Sequence, residues 1–227
     1  TGNHDQPRLI ARLGESRARA ITMSVLLLPG VVVTYYGEEI GMTDEYISWK
    51  DTVDPQGCRA GKAHYLTSSR DPERTPFQWN NSVAAGFSSN PHTWLPVNEN
   101  YKTLNLVEEE KEKNSYYALY EKLSKLKKSQ YLKRAKLVTK VLSEHVFAVA
   151  RETEDHGSVY AVSNFGEKDV TVDLSVFDKI PNKLNVYYAS TISDILSWEA
   201  VVQVRRVNIP PASVVILTTP NADFVTD

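Results

Sequence analysis

Three polar residues close to the start of the chain, Asn3, His4 and Asp5, have side chains that suit the binding of a sugar. Pro7 and a helical pattern follow them, which indicates a loop between a strand and a helix. In such a loop an aspartate carboxylate accepts hydrogen bonds from a vicinal diol, and an imidazole donates one to the same ring. From residue types alone, an alternative in which His4 and Asp5 only cap the next helix stays open.

The elements that would position this loop are a helix and a buried strand. Apolar residues at helical spacing predict a helix over 15–28, with Ala18, Ile21, Val25 and Leu28 on one face. The continuous β-branched and aromatic run 31–36 predicts a parallel strand that is buried on both faces. This order is typical of a β/α architecture, in which ligand-binding groups collect at the carboxyl ends of the strands.

The rest of the chain changes character twice. Residues 40–114 are rich in Pro, Gly, Asn and Ser and predict a long functional loop region, and a second amphipathic helix follows with Tyr116, Leu119, Tyr120, Leu123 and Leu126 on one stripe. Short β-rich runs then occupy 137–142, 146–151, 159–165, 170–176, 184–189, 201–209 and 214–218. They predict an antiparallel β-sandwich. We therefore expect two domains, 1–130 and 131–227.

The first predicted domain is too small to close a barrel. It contains one buried strand, whereas a (β/α)8 barrel needs eight strands and about 250 residues. A lone strand would leave its edges unpaired and its apolar faces in water. We expect the remaining strands to come from sequence before Thr1 or from another chain.

Composition excludes several classes of partner. The chain has 41% hydrophobic and 24% charged residues, which is typical of a globular protein, and its net charge is −2. Such a chain has no basic field for nucleic acid or for anionic lipid, and a neutral ligand fits it better. A lysine-rich stretch at 122–136 is interpreted as a solvated helix face, because no aromatic residues interleave its charges.

The sequence predicts no cofactor and no metal site. Cys58 is the single cysteine, and the five histidines have no metal-ligand spacing. No disulfide therefore forms within the chain. No run approaches the roughly 18 apolar residues of a membrane span, so we expect no membrane segment in this chain.

Several motifs together resemble one enzyme family. They are Gly2-Asn3-His4-Asp5-Gln6-Pro7-Arg8, Tyr35-Tyr36-Gly37-Glu38-Glu39-Ile40-Gly41-Met42, Asp51-Thr52-Val53-Asp54-Pro55-Gln56-Gly57-Cys58, Arg70-Asp71-Pro72-Glu73-Arg74-Thr75-Pro76-Phe77-Gln78-Trp79, Gly86-Phe87-Ser88 and Thr93-Trp94-Leu95-Pro96-Val97-Asn98. The combination resembles the α-glucosidases of the α-amylase clan of glycoside hydrolases, above all the insect maltases. The resemblance covers nearly the whole chain.

The resemblance implies a fold and three site residues. The fold is the C-terminal portion of a (β/α)8 barrel followed by an all-β domain, with 31–36 as the eighth barrel strand. Asp5 would stabilise the transition state by binding the hydroxyls at C2 and C3 of the sugar, and His4 would contact the same region. Arg74 would bind the non-reducing end of the terminal glucose.

The resemblance also implies that the covalent chemistry lies elsewhere. The nucleophilic Asp and the acid/base Glu of a retaining glycosidase belong to strands four and five, which would precede Thr1. Glu38 and Glu39 do not replace them, because adjacent residues at a strand end point to opposite faces. We therefore expect the chain to be inactive alone. One of the two glutamates is expected either to pack against a ring or to accept a backbone hydrogen bond.

The implied substrate is a small oligosaccharide such as maltose or sucrose. A secreted or extracellular location is expected, with possible membrane association through a segment outside this chain, and Asn80 heads a glycosylation sequon with Asn81 and Ser82. The alternative is a non-enzymatic, glucosidase-like ectodomain of an amino-acid transporter heavy chain. Retention of His4, Asp5 and Arg74 together favours the enzyme.

Overall fold

The computed structural model describes residues 1–191, 196–197 and 200–223. These residues form two compact units, each of which is discontinuous in sequence. The first comprises Thr1–Glu15 and Val33–Ala118, and the second comprises Ser16–Val32 and Leu119–Asp227. The predicted domains 1–130 and 131–227 stay a prediction.

The helices of the described chain are mostly short. They are α1 (Leu9–Leu13), α2 (Glu15–Leu27), α3 (Pro55–Ala60), α4 (Leu106–Glu109), α5 (Tyr116–Lys128) and α6 (Gln130–Arg134). Single 3-10 turns lie at Glu38–Ile40, Tyr65–Thr67, Pro72–Arg74, Val83–Gly86, Glu99–Lys102 and Leu174–Val176. The region predicted to be irregular thus consists of loops joined by short helices, and both long predicted helices are present.

The buried face of α2 differs from the predicted one. Its buried residues are Ala18, Ala20, Thr22, Met23, Leu26 and Leu27. Ile21 and Val25 are only half-buried, and Leu28 is exposed. The helix has apolar residues on several of its sides, so their spacing was compatible with more than one buried face. In α5, by contrast, four residues of the predicted stripe are buried and Tyr120 is half-buried; the four are Tyr116, Leu119, Leu123 and Leu126.

The predicted strand 31–36 is not formed as a strand. Residues 31–35 carry no ladder hydrogen bonds, and the side chains of Val31 and Val33 are 95% and 80% exposed. A strand exists only when another strand pairs with it. No described strand lies beside this segment, so its strand-like residue pattern does not produce a strand here.

The second unit contains an antiparallel β structure, as predicted. Its strands are β1 (Lys136–Ser143), β2 (Val146–Glu152), β3 (Ser158–Asn164), β4 (Val170–Val172), β5 (Lys183–Ala189), β6 (Val201–Gln203), β7 (Val207–Ile209) and β8 (Ser213–Thr218). Six of them form one sheet in the order β1-β2-β3-β8-β5-β6, and β4 pairs with β7 in a small second sheet. Every pairing is antiparallel.

Two predicted runs are corrected. The run 170–176 forms only β4 and then a 3-10 turn, because the Asp173 carboxylate accepts a hydrogen bond from the Ser175 N–H at 2.8 Å. The run 201–209 is divided by a turn in which the Arg206 N–H donates to the Gln203 carbonyl at 3.0 Å. Its two halves, β6 and β7, therefore belong to different sheets.

One apolar core lies between the two sheets. Val146, Ala148 and Ala150 of β2 contribute to it from the large sheet, and Val207 and Ile209 of β7 contribute from the small one. All five side chains are at most 1% exposed. Every residue of β3 and β8 is buried, whereas β1 at the edge of the large sheet is partly exposed along its length.

A buried arginine donates hydrogen bonds to carbonyl groups at the ends of two helices within the second unit. Arg151 is 5% exposed and donates to the carbonyl oxygens of Leu27 at 2.7 Å and of Ala135 at 3.0 Å. It also donates to the Leu132 carbonyl. Leu27 ends α2, so the guanidinium satisfies helix-terminal carbonyls that have no intrahelical partner.

Replacing Arg151 by Met is expected to lower the free energy of unfolding by about 3 kcal/mol, because buried carbonyls would lose their donors. Urea unfolding of the purified chain measures this. The matched control Arg134→Met removes an exposed positive charge and should change stability by less than about 0.5 kcal/mol. Equal effects of the two substitutions would show that Arg151 has no special structural role.

Candidate active site

The polar loop at the start of the chain is held by its own backbone. The Asp5 N–H donates to the Asn3 Oδ1 at 2.8 Å, and the Gln6 N–H donates to the Asn3 carbonyl at 3.5 Å. Helix α1 begins later, at Leu9, and its N-cap residue is Arg8. His4 and Asp5 therefore do not cap this helix, which removes the capping alternative.

The Asp5 carboxylate is the centre of a charged cluster in the first unit. Its Oδ1 accepts hydrogen bonds from the Arg70 Nη1 at 2.8 Å and from the Arg74 Nη2 at 3.1 Å. Its Oδ2 lies 3.3 Å from the Nε2 of His4. The side chains of Asp5 and His4 remain 48% and 67% exposed, so a ligand can reach both.

This environment keeps Asp5 ionised. The hydrogen bond from Arg70 is the largest cause that lowers the pKa of the Asp5 carboxyl, and the charges of His4, Arg70 and Arg74 lower it further. An ionised carboxylate only accepts hydrogen bonds. Oδ1 faces two guanidinium groups and Oδ2 faces one imidazole, so Oδ2 has the fewer partners and is the better placed to accept from ligand hydroxyls.

Arg74 links two loops that are far apart in sequence. It ends the 3-10 turn Pro72–Arg74, and its Nε donates to the His4 carbonyl at 2.8 Å. The structure thus brings together all three residues that the sequence singled out for sugar binding. Their roles toward a sugar stay predictions.

Arg70 was missed as a member of this cluster. It stands in the same motif as Arg74, four residues earlier, and no role was predicted for it. Its guanidinium lies between Asp5 and a second aspartate, Asp54, with the Arg70 Nη2 at 2.7 Å from the Asp54 Oδ1. The motif contains two arginines, Arg70 and Arg74, which was the available sign of a second site residue. Residue types do not show which of two arginines reaches a carboxylate.

Aromatic residues brace the turn that carries Arg74. The hydroxyl of Tyr35 donates to the Glu73 carbonyl at 3.2 Å, and the hydroxyl of Tyr36 donates to the Thr75 carbonyl at 2.7 Å. Burial raises the pKa of both tyrosines, so they remain neutral donors. Arg8 lies 5.2 and 4.9 Å from the centres of the two rings and donates to the Tyr36 carbonyl at 2.6 Å.

A cavity of about 300 Å³ adjoins Arg74. Its walls are mainly apolar and include Tyr36, Phe77, Phe87 and Trp94. Apolar walls beside a few convergent polar groups are the usual composition of a small-molecule site. Arg74, which also contacts Asp5, therefore joins the charged cluster to a mainly apolar cavity.

Glu38 and Glu39 lie in the 3-10 turn Glu38–Ile40 and not at the end of a strand. Glu38 accepts hydrogen bonds from the Tyr35 N–H and from the Thr1 hydroxyl, both at 3.0 Å. Of the two expected roles, ring packing or a backbone hydrogen bond, Glu38 thus has the second. Burial raises the pKa of the Glu39 carboxyl. Glu38 is thus engaged in structure, and Glu39 is held in an environment that disfavours its charged form.

Glu73 is a buried carboxyl next to the site. It is 2% exposed, and burial, with a smaller contribution from Asp44, raises its pKa from 4.5 to about 7. The folded state therefore favours the protonated form. The stability contributed by this group is complete below its ordinary pKa and is lost as the pH rises through about 7.

The substitution Glu73→Gln should consequently raise the free energy of unfolding at pH 8 by about 2 to 3 kcal/mol and have little effect at pH 4. Chemical denaturation over this pH range measures both values. The exposed Glu110→Gln is the control and should leave the pH dependence unchanged. A parallel shift of stability at all pH values for Glu73→Gln would contradict this account.

The described residues show neither a metal cluster nor a membrane span. No group of three or more His, Cys, Asp or Glu side chains in this part of the chain is arranged to hold a metal ion. Within the same residues, every helix is too short or too polar to cross a bilayer.

Comparison with known proteins identifies a family. The family described as "Alpha amylase, catalytic domain" matches residues 1–135. The chain is 60% identical to an alpha-glucosidase of Apis mellifera over 86% of this chain and 35% of that protein. It is 42% identical to a salivary alpha-glucosidase of Aedes aegypti over 83% of this chain and 33% of that protein. The chain thus spans about a third of the length of these relatives.

Two further similarities bear on function. The chain is 32% identical to an amino acid transporter heavy chain, SLC3A1, of Mus musculus over 82% of this chain and 26% of that protein. A solved structure of a mutant trehalulose synthase, MutB, in complex with glucose has a TM-score of 0.73 and 26% identity. That likeness covers 96% of this chain and 42% of the synthase.

Proposed function

Because the chain belongs to the alpha-amylase family of glycoside hydrolases, we propose that it is the C-terminal portion of a retaining α-glucosidase of the insect maltase type. Its substrates are small oligosaccharides such as maltose or sucrose, from which it removes the terminal non-reducing α-linked glucose. The observation that carries the proposal is the convergence of His4, Arg74 and the Asp5 carboxylate within 3.3 Å contacts.

Asp5 is proposed to bind the hydroxyls at C2 and C3 of the terminal glucose. Hydrogen bonds to the 2-hydroxyl strengthen as the ring approaches an oxocarbenium ion, and only contacts that strengthen in this way accelerate the reaction. His4 contacts the same part of the ring through its exposed imidazole. Arg74 binds the non-reducing end with its planar guanidinium, which also keeps the His4 carbonyl in place.

The bond-breaking groups are proposed to lie before Thr1. A retaining mechanism needs a nucleophilic carboxylate and an acid/base carboxyl about 5 Å apart. The honeybee relative is longer than this chain, which matches 35% of it, so a whole protein of this type has room for these groups outside the matched part. The same preceding region would supply the strand that pairs with 31–36, the proposed eighth barrel strand. This chemistry uses carboxyl groups and water, and it needs no cofactor.

A second candidate is a glucosidase-like ectodomain of a transporter heavy chain, without hydrolytic activity. The similarity to the mouse protein favours it. The contacts of Asp5 with Arg74 and His4 favour the hydrolase, because a trafficking scaffold does not need an ionised carboxylate aimed at an open surface. Hydrolytic turnover by the full-length protein separates the two.

We also propose a secreted protein that carries an N-linked glycan on Asn80. The Asn80 Oδ1 accepts hydrogen bonds from the N–H and the hydroxyl of Ser82, at 2.9 and 2.5 Å, so the sequon forms a compact turn. A relative from saliva supports an extracellular location. Protein secreted by insect cells should lose mass after treatment with an N-glycosidase, and Ser82→Ala should abolish that loss.

The function is tested with the full-length protein that contains this chain. Purified protein incubated with maltose should release glucose, and NMR should detect the α-anomer first, because a retaining mechanism conserves the configuration. Initial release of the β-anomer would contradict the retaining mechanism. A folded protein without turnover of maltose, sucrose or an aryl α-glucoside would favour the transporter-type scaffold.

A further inference from the structure

Asp54 holds Arg70 from the side opposite to Asp5. The Asp54 Oδ2 accepts hydrogen bonds from the Arg70 Nε at 3.0 Å and from its backbone N–H at 2.8 Å. The Oδ1 accepts from the Arg70 Nη2 at 2.7 Å. The Asp54 side chain is 0% exposed, so this two-pronged pairing is protected from solvent.

Asp54 is itself fixed in position. It is the N-cap of α3, where its Oδ1 accepts from the Gln56 N–H at 3.3 Å. The fully buried Asp71 carboxylate accepts from the N–H groups of Asp54 at 3.0 Å and Val53 at 2.8 Å. The Asp54 carboxylate that accepts hydrogen bonds from Arg70 is therefore held in place by backbone hydrogen bonds within the first unit.

The guanidinium of Arg70 is left with one directed contact to the site. Its Nε and Nη2 are occupied by Asp54, and its Nη1 points to the Asp5 Oδ1 at 2.8 Å. A guanidinium fork is planar, so fixing two of its nitrogens fixes the third. Without its hydrogen bonds to Asp54, the long Arg70 side chain would be free to rotate away from Asp5.

We propose that Asp54 is a positioning residue, which orients the Asp5 carboxylate for the sugar by fixing the direction of Arg70. It acts through Arg70, which lies between it and Asp5. The catalytic part of this inference rests on the proposed α-glucosidase function. The geometric part concerns the chain itself and is testable without any enzymatic activity.

The first test measures the pKa of Asp5 by carbon-13 NMR titration of the purified chain and its Asp54→Asn variant. Asn is as good an N-cap as Asp, so α3 keeps its cap while the pairing with Arg70 is weakened. If Asp54 positions Arg70, its loss should raise the pKa of Asp5, because the hydrogen bond from Arg70 is what mainly lowers it. Arg70→Gln should raise the pKa in the same direction.

The direction of this change is decisive. Removing a nearby negative charge by itself lowers the pKa of a carboxyl, which is opposite to the expected rise. The control Asp51→Asn removes the same charge from an exposed position in the same loop and should not raise the pKa of Asp5. A fall or no change in Asp54→Asn, with the fold intact by circular dichroism, would overturn the proposal.

The second test is a double-mutant cycle in the full-length protein. Asp54→Asn and Arg70→Gln should each lower kcat/KM for maltose by roughly 10- to 100-fold, mainly through kcat, because misplacing a group by about 1 Å is costly. The double variant should be no worse than Arg70→Gln alone. Additive losses would show that Asp54 does not act through Arg70. An inactive wild type would instead refute the proposed function and leave the NMR result to be judged separately.

Discussion

Replacing Asp5 by Asn in the full-length protein should lower kcat for maltose hydrolysis by about 100- to 1,000-fold while KM changes much less. An amide has nearly the shape of a carboxylate but no charge, so it weakens the contact that grows as positive charge develops on the ring. The substitution also removes the partner of two guanidinium groups, at 2.8 and 3.1 Å. Steady-state kinetics with maltose measures both constants.

The control for this prediction is Asp51→Asn. Asp51 is exposed and has its own partner, the Ser48 hydroxyl at 2.6 Å, outside the Asp5 cluster. It should leave kcat and KM within about twofold of the wild type, because surface changes of this kind have small energetic effects. An unchanged kcat in Asp5→Asn would exclude Asp5 from the site. A rise in KM alone would assign it to uniform substrate binding.

The isolated 227-residue chain should have no measurable α-glucosidase activity. The resemblance assigns the nucleophile and the acid/base residue to strands before Thr1, and Asp5 supplies neither role. Asp5 is also paired with Arg70 and Arg74, which holds its pKa low and makes it a poor proton donor. Release of 4-nitrophenol from an aryl α-glucoside by the purified chain measures this.

A chimera provides the positive control. The part of the honeybee alpha-glucosidase that precedes the matched region, joined to this chain, should restore turnover, since the two proteins are 60% identical over the shared part. Neither half alone should be active. Activity of the isolated chain that survives loss of Asp5 would place the chemistry on other residues and contradict the account.

The site could be predicted from the sequence only as a set of residue types. The motifs placed His4, Asp5 and Arg74 in one region, and the structure brings them within hydrogen-bonding distance. Arg70 and Asp54 were not predicted to belong to the site, although both lie in motifs that carry the family resemblance. Their role depends on which way a long side chain turns and on a buried partner, and neither is encoded in spacing along the chain.

The fold was predictable where the pattern itself determines the structure. The β-rich runs gave most strand positions, because alternation with turn residues is a local property. The prediction of one continuous strand over 201–209 was wrong because Val204 and Arg205, which are not typical turn residues, form a turn after Gln203. The prediction of a strand over 31–36 was wrong because a strand requires pairing with another strand, and residue types do not supply a partner.

The most direct test of the central claim is a crystal structure of the full-length protein with glucose bound. We expect the hydroxyls at C2 and C3 to lie within hydrogen-bonding distance of the Asp5 carboxylate, next to His4, with Arg74 at the non-reducing end of the ring. Glucose bound away from this cluster, with Asp5 contacting only Arg70 and Arg74, would contradict the account.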